Sequence, residues 1–181
     1  MEYTQLVTAL KKPGADILAT LDPQKVDAWH MIVGIAGEAL ELLANYNEIS
    51  VENIIEELGD MIFYTYGLAE ALGLEGKWFD EDYDDTSDFE FTSDYIVDVA
   101  VAAGKVVDLV KKWVVYNKPL DVEEVRAAVN DMLDQMQCVA SAVGVSMKLI
   151  QCYNKAKLTD RYGEKYSDGA AVARADKGGA E

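Results

Sequence analysis

The segment Ser50-Val-Glu-Asn-Ile-Ile-Glu-Glu-Leu-Gly-Asp-Met-Ile-Phe-Tyr-Thr65 places Ile54, Ile55, Leu58, Met61, Ile62 and Thr65 at helical spacing. One side of an α-helix therefore carries the apolar residues, and the stripe continues to Gly73. Ser50 is suited to cap its start, and Glu52 suits the positive end of the helix dipole. Upstream, Asp22-Pro23 is a cap followed by proline at the first helical position, which starts a preceding helix that runs to about Tyr46. The two helices form an antiparallel hairpin over about 22–74. Before it, Pro13-Gly14 ends a short N-terminal helix.

Beyond this hairpin, 75–92 reads as an acidic connector: Asp80 to Asp94 holds eight acidic residues and no basic one, mixed with Tyr83, Phe89 and Phe91. A second hairpin is expected over about 93–144. It turns at Asn117-Lys118-Pro119, and Asp121 with Glu124 is a capping box for its second helix. Ser146 opens a C-terminal helix over 146–162, and 170–181 reads as a mobile tail. The two hairpins look like a tandem repeat, since Ala36-Gly37-Glu38 aligns with Ala103-Gly104-Lys105, and Leu68-Ala-Glu-Ala-Leu-Gly73 with Val139-Ala-Ser-Ala-Val-Gly144. The expected fold is all-α: a single domain over 1–169, built as a helical bundle of two tandem hairpins plus a C-terminal helix.

Composition narrows the function. The 181 residues include 33 acidic and 16 basic side chains, a net charge of -17, and 50% are apolar. That apolar share excludes a disordered acidic segment, and no apolar run reaches the ~18 residues of a spanning helix. Phosphate backbones are repelled by such a surface, so no nucleic acid polymer is expected as partner, and no membrane. Cys138 and Cys152 are too few for a disulfide framework and read as reduced core thiols. The N-terminus has neither a basic region nor an apolar leader, so a cytoplasmic location is the expectation.

Four carboxylates carry the chemistry. Glu38 and Glu41 lie three residues apart on one helix, Glu57 and Asp60 on the next, so each pair shares a face. Opposed residues in an antiparallel hairpin have position numbers with a constant total, which pairs Glu38 with Asp60 and Glu41 with Glu57 in two layers. Ile35, Leu42, Leu58 and Met61 border these faces. Two anions about 5 Å apart repel by roughly 3 kcal/mol at an effective dielectric near 20, more than a marginally stable domain tolerates several times over. A divalent cation resolves this, and an all-oxygen set favours Mg²⁺, with Mn²⁺ as substitute, over Zn²⁺. The bland alternative is that these are solvated acids on amphipathic helices.

The surrounding residues favour the first reading. Gly34-Ile-Ala-Gly-Glu-Ala-Leu-Glu41 followed by Glu56-Glu-Leu-Gly-Asp-Met-Ile-Phe-Tyr64 resembles the ExxE and ExxD signature of MazG-like nucleotide pyrophosphohydrolases. Asn154-Lys-Ala-Lys-Leu-Thr-Asp-Arg-Tyr-Gly163 is similar to that family's closing N-x-x-K-L-x-x-R-Y segment. The resemblance covers about Trp29 to Gly163. It implies Mg²⁺ held by Glu38, Glu41, Glu57 and Asp60, phosphate contacts from Asn154, Lys157 and Arg161, and hydrolysis of a nucleoside triphosphate to monophosphate and pyrophosphate.

The family's usual lysine pair is missing from the first hairpin, which has Ala44 and Asn45 there. It is present in the second as Lys111 and Lys112. The second hairpin replaces Glu38 by Lys105 and Glu57 by Ala128, keeps Asp108 and Asp131, and opposes Lys105 to Asp131. Its metal site is expected to be lost. This predicts a composite site, with the metal cage from the first hairpin and phosphate-binding cations Lys111, Lys112, Lys157 and Arg161 from the second hairpin and last helix. Their bland role is to offset a very acidic chain at helix ends.

Trp29, His30, Phe63 and Tyr64 are candidates to hold the base, against the commoner fate of core packing. Relatives often have a histidine where His30 stands. Glu41 and Glu56 are both candidates to accept the proton from the attacking water. The expected activity is a Mg²⁺-dependent pyrophosphohydrolase acting on a deoxynucleoside triphosphate, in pool control or house-cleaning. Phage-borne relatives act on dNTPs, dGTP among them. Related dimeric dUTPases and dCTPases supply an alternative, and a non-enzymatic helical adaptor is another. Relatives assemble as dimers or tetramers, so a homo-oligomer is expected.

Overall fold

A computed structural model describes residues 1–44, 50–74 and 93–173. It is all-helical: α1 (Tyr3–Leu10), α2 (Gly14–Leu18), α3 (Pro23–Ala44), α4 (Val51–Leu72), α5 (Ser93–Tyr116), α6 (Val122–Ala142), α7 (Met147–Tyr162) and α8 (Asp168–Ala173). No helix among the described residues is long and apolar enough to cross a membrane. Asn45 and the acidic connector 75–92 lie outside the described residues, as does 174–181. The tail reading needs correction over 170–173, which belong to α8. The short helix α2 was not legible either, because five residues are too few to show a period.

Local chemistry sets the helix ends. The Asn53 N–H donates to Ser50 Oγ at 3.1 Å, and the Lys25 N–H to Asp22 Oδ1 at 2.8 Å, so both caps satisfy otherwise free donors. Gly73, at φ 63, lets the Leu74 N–H turn back to the Ala69 carbonyl at 2.8 Å. Asn117 does the same work after α5 at φ 54, a conformation that asparagine tolerates better than most residues.

α3 packs along α4 and along α5, α5 packs along α6, and α7 lies against α4. The shared core holds Ile32, Ile35 and Leu42 of α3, Leu58 and Met61 of α4, Val106 and Val110 of α5, Met132 and Met136 of α6, and Ile150 of α7, all fully buried. Within each helix that contributes more than one, these positions fall three, four or seven residues apart, and burying one such side chain contributes about 1.5–3 kcal/mol. In the first hairpin an added Cβ on Gly34 would overlap the Tyr64 ring, and one on Gly67 would overlap Met31. Those two contacts have the same position total as the pairing expected for the acids, so the two helices touch in that register.

Lys25 is buried at 5% exposure and joins the start of α3 to the end of α5. Its ammonium donates to the Thr20 carbonyl at 2.8 Å and to Asn117 Oδ1 at 2.6 Å, and stands 5.7 Å from the centre of the Trp113 ring. A cation there complements the negative end of α5, whose last turn has no basic residue. The cysteine reading changes too: Cys152 is exposed and Cys138 half-buried, because each sits beside the apolar stripe of its helix and not on it.

Candidate functional site

The hairpin α3–α4 and the last two helices enclose a cleft of about 920 Å³. Glu38, Glu41, Glu56, Glu57 and Asp60 line it from one side, and Asn154, Arg161 and Tyr162 of α7 from the other. α3 supplies Glu38 and Glu41 from the flank beside its core face, which is committed through Ile35, Ala39 and Leu42.

Glu38, Glu41 and Glu57 each place a carboxylate oxygen within 4.8 Å of the others. Glu57 is buried, Glu38 half-buried and Glu41 exposed, so the cluster runs from the protein interior to the open cleft. The Glu38 and Glu57 carboxyls lie within hydrogen-bond reach of each other, which calls for a proton or a cation between them. Burial first, then that hydrogen bond and the charges of Asp60, Glu57 and Glu41, push the Glu38 carboxyl from its ordinary 4.5 up to about 8. Glu57 is also raised, chiefly by burial. Two carboxyls whose ionisation is opposed by burial and by each other, with a third carboxylate alongside, are an all-oxygen donor set. That chemistry fits a hard divalent cation.

Asp60 departs from the expected layering. It is not one of the three clustered acids, and Glu38 bonds to Glu57 in its place. Asn154 Nδ2 donates to Asp60 Oδ1 at 2.6 Å, and Lys157 Nζ reaches Oδ1 at 2.7 Å and Oδ2 at 2.6 Å. Lys157 also lies 3.6 Å from Glu56. Asn154 and Lys157, expected on phosphate, are thus turned onto a carboxylate. The approach depends on Gly59, whose Cβ, if present, would stand 2.9 Å from Asn154 Cβ. A Gly-Asp pair on one helix opposite an asparagine and lysine on another is a readable signal only once α4 and α7 are known to touch.

The composite arrangement does not form within the chain. No residue of α5 lines the cleft. Lys111 and Lys112 are exposed, and Lys112 pairs with Asp108 at 2.6 Å one turn earlier on the same helix. That bond holds the Asp108 carboxyl below its ordinary range and the Lys112 ammonium above its own. Lys105 and Asp131 are both exposed, and Asp108 takes Lys112 as its partner. The cations facing the cleft are instead Lys155, Arg161 and Lys165, of which Lys165 was missed because it follows the last predicted helix.

Three of the four aromatic candidates enter the cleft. His30 meets Tyr64 edge-on at 6.2 Å, and Phe63 meets Tyr64 at 5.3 Å. Burial, followed by the negative charges of Glu38 and Asp60, raises the Tyr64 phenol above its ordinary value, so the ring stays a neutral donor. Trp29 does not line the cleft. It is 38% exposed and joins Val26, Val33 and Leu40 in an exposed stripe along α3. A second aromatic pair does line it: Tyr162 and Tyr166, with ring centres 5.5 Å apart.

No protein-family model matches this chain, and neither does any curated protein or solved structure.

Proposed function

We propose that the chain is a divalent-metal-dependent nucleoside triphosphate pyrophosphohydrolase of the MazG-like kind, with a deoxynucleoside triphosphate as substrate and dNTP pool control as its role. The observation that carries this reading is the gathering of Glu38, Glu41 and Glu57 oxygens within 4.8 Å at one side of a cleft. That cleft has an aromatic wall, His30, Phe63 and Tyr64, and a cationic wall that includes Arg161. A triphosphate nucleotide needs those three environments together: a cation site for phosphate charge, donors for the remaining oxygens, and flat apolar surface for a base.

Glu38, Glu41 and Glu57 would hold Mg²⁺ or Mn²⁺, with Asp60 adjacent. When bound, the cation supplies charge neutralisation on the phosphates and water activation. Arg161 presents a planar fork of donors to phosphate oxygens. Between the two proton acceptors, Glu56 is the better placed, since it lines the cleft outside the three-acid cluster, whereas Glu41 belongs to it. The Lys157 ammonium at 3.6 Å keeps Glu56 beside a positive charge.

The test is pyrophosphate release from a panel of dNTPs with Mg²⁺, dGTP first and dUTP and dCTP beside it. The expected result is turnover of at least one, with Glu38→Gln and Glu57→Gln lowering kcat/KM by about a hundredfold or more. Parental rates in both variants, or no turnover of any nucleotide, would leave a helical adaptor as the better description. The exposed stripe Val26, Trp29, Val33 and Leu40 supports a homo-oligomer, because it repeats at heptad-like spacing along one helix. Val33→Glu is expected to reduce the particle mass measured by light scattering.

A further inference from the structure

Lys157 has three N–H donors, and all have carboxylates in reach: two lie on Asp60 Oδ1 and Oδ2, and Glu56 stands at 3.6 Å. The pair is well shielded, with 17% of the Lys157 and 20% of the Asp60 side chain exposed, so each serves as the other's main counter-charge. A phosphate can gain this ammonium only if Asp60 gives it up. Asp60 can in turn join the neighbouring acids around a cation only if Lys157 leaves.

We propose that Lys157 is an exchangeable counter-ion that holds Asp60 out of the cation site until a polyphosphate draws the ammonium away. The inference rests on the reading of the cleft as a metal-dependent triphosphate site. The exchange needs rotation of a four-carbon side chain and no backbone movement, because Lys157 sits one turn before Arg161 on the same face of α7, already beside the cleft. Asn154 stays on Asp60 Oδ1 and keeps the carboxylate oriented while its other oxygen changes partner. Phosphate and cation then favour each other's binding through one residue pair, and the effect is reciprocal. Lys157 is a positioning residue for Asp60 as well as a phosphate ligand.

A double-variant cycle on the full chain tests this with two probes used separately, so that neither chelates the other. The proteins are the parent, Lys157→Met, Asp60→Asn and the double variant. The probes are Mn²⁺ alone and, in chelator, inorganic tripolyphosphate alone, both read by calorimetry. Lys157→Met is expected to tighten Mn²⁺ binding about tenfold, with no gain when Asp60 is already Asn. Asp60→Asn is expected to tighten tripolyphosphate binding about tenfold, with no gain when Lys157 is already Met. Lys157→Arg, which keeps the ion pair, should bind Mn²⁺ as the parent does. The double variant is neutral at both positions and controls for folding by helicity. If Lys157→Met loses helicity, Lys157→Gln takes its place in the Mn²⁺ arm. Gains that persist in the double variant show simple field effects and overturn the exchange, as does the absence of any gain. Mn²⁺ binding that is absent, or equal in parent and Glu57→Gln, removes the metal-site reading itself, whatever the cycle shows.

Discussion

The two hairpins have the same helical plan and opposite electrostatic outcomes. In α3–α4 the acids at 38 and 57 are turned toward the neighbouring helix, where burial first and their mutual contact next oppose ionisation. In α5–α6 the places aligned with them by sequence hold Lys105 and Ala128, and Asp108 is exposed and answered by Lys112 one turn away. A carboxylate in water with a local partner leaves no charge to be neutralised, and such surface pairs contribute only ~0.2–1 kcal/mol. Spacing is shared by both hairpins. Burial distinguishes the one whose acids could hold a cation.

Metal titration should separate the two hairpins by the largest margin. Glu57→Gln should abolish tight Mn²⁺ binding, a loss of about a hundredfold or more, while Asp108→Ala and Asp131→Ala leave it within about twofold. Tight binding lost in Asp108→Ala, with Glu57→Gln unaffected, would move the site to the second hairpin.

A smaller effect separates the hairpins by packing. Gly34 lies under the Tyr64 ring with no room for a Cβ, whereas nothing stands within 4 Å of a Cβ built on Gly104. Gly34→Ala should destabilise by about 1–3 kcal/mol in urea unfolding through overpacking. Gly104→Ala should stabilise by about 1 kcal/mol, because alanine is the better helix former. The repeat offset places Val101, not glycine, opposite the role of Gly34, so the close approach belongs to the first hairpin alone.

The hairpins also differ in pH dependence. Glu38 ionises at 4.5 when free and at about 8 in the folded chain, so between those values the folded state holds more protons than the unfolded one. Its contribution to stability is complete below 4.5 and is lost as pH rises through about 8. The Tm of metal-free protein should therefore fall from about pH 5 to about pH 8 in calorimetric scans. Glu38→Gln should flatten that slope, and saturating Mn²⁺ should offset it. Asp108, lowered by Lys112, titrates on the acid side and should leave the slope unchanged when replaced by Ala.

Helix ends and stripes were written locally. Ser50, Gly73, Asn117 and Ser146 act on backbone groups within a few residues, and the stripe of α4 is a count along one helix. The all-α class and the gathering of Glu38, Glu41 and Glu57 follow from such counts, because neighbouring helices joined by a short link have little choice of register. The partner of Asp60 was beyond them. It depends on where α7 docks, which Gly59 permits and Asn154 fills, and no periodicity within either helix encodes that meeting. The placement of Lys111 and Lys112 escaped for the same reason: a pattern of residue types says which charges a chain possesses. Only the packing of α5 against α3 and α6 decides which of them reach the cleft, since Coulomb forces act over ångströms in space and not along the chain.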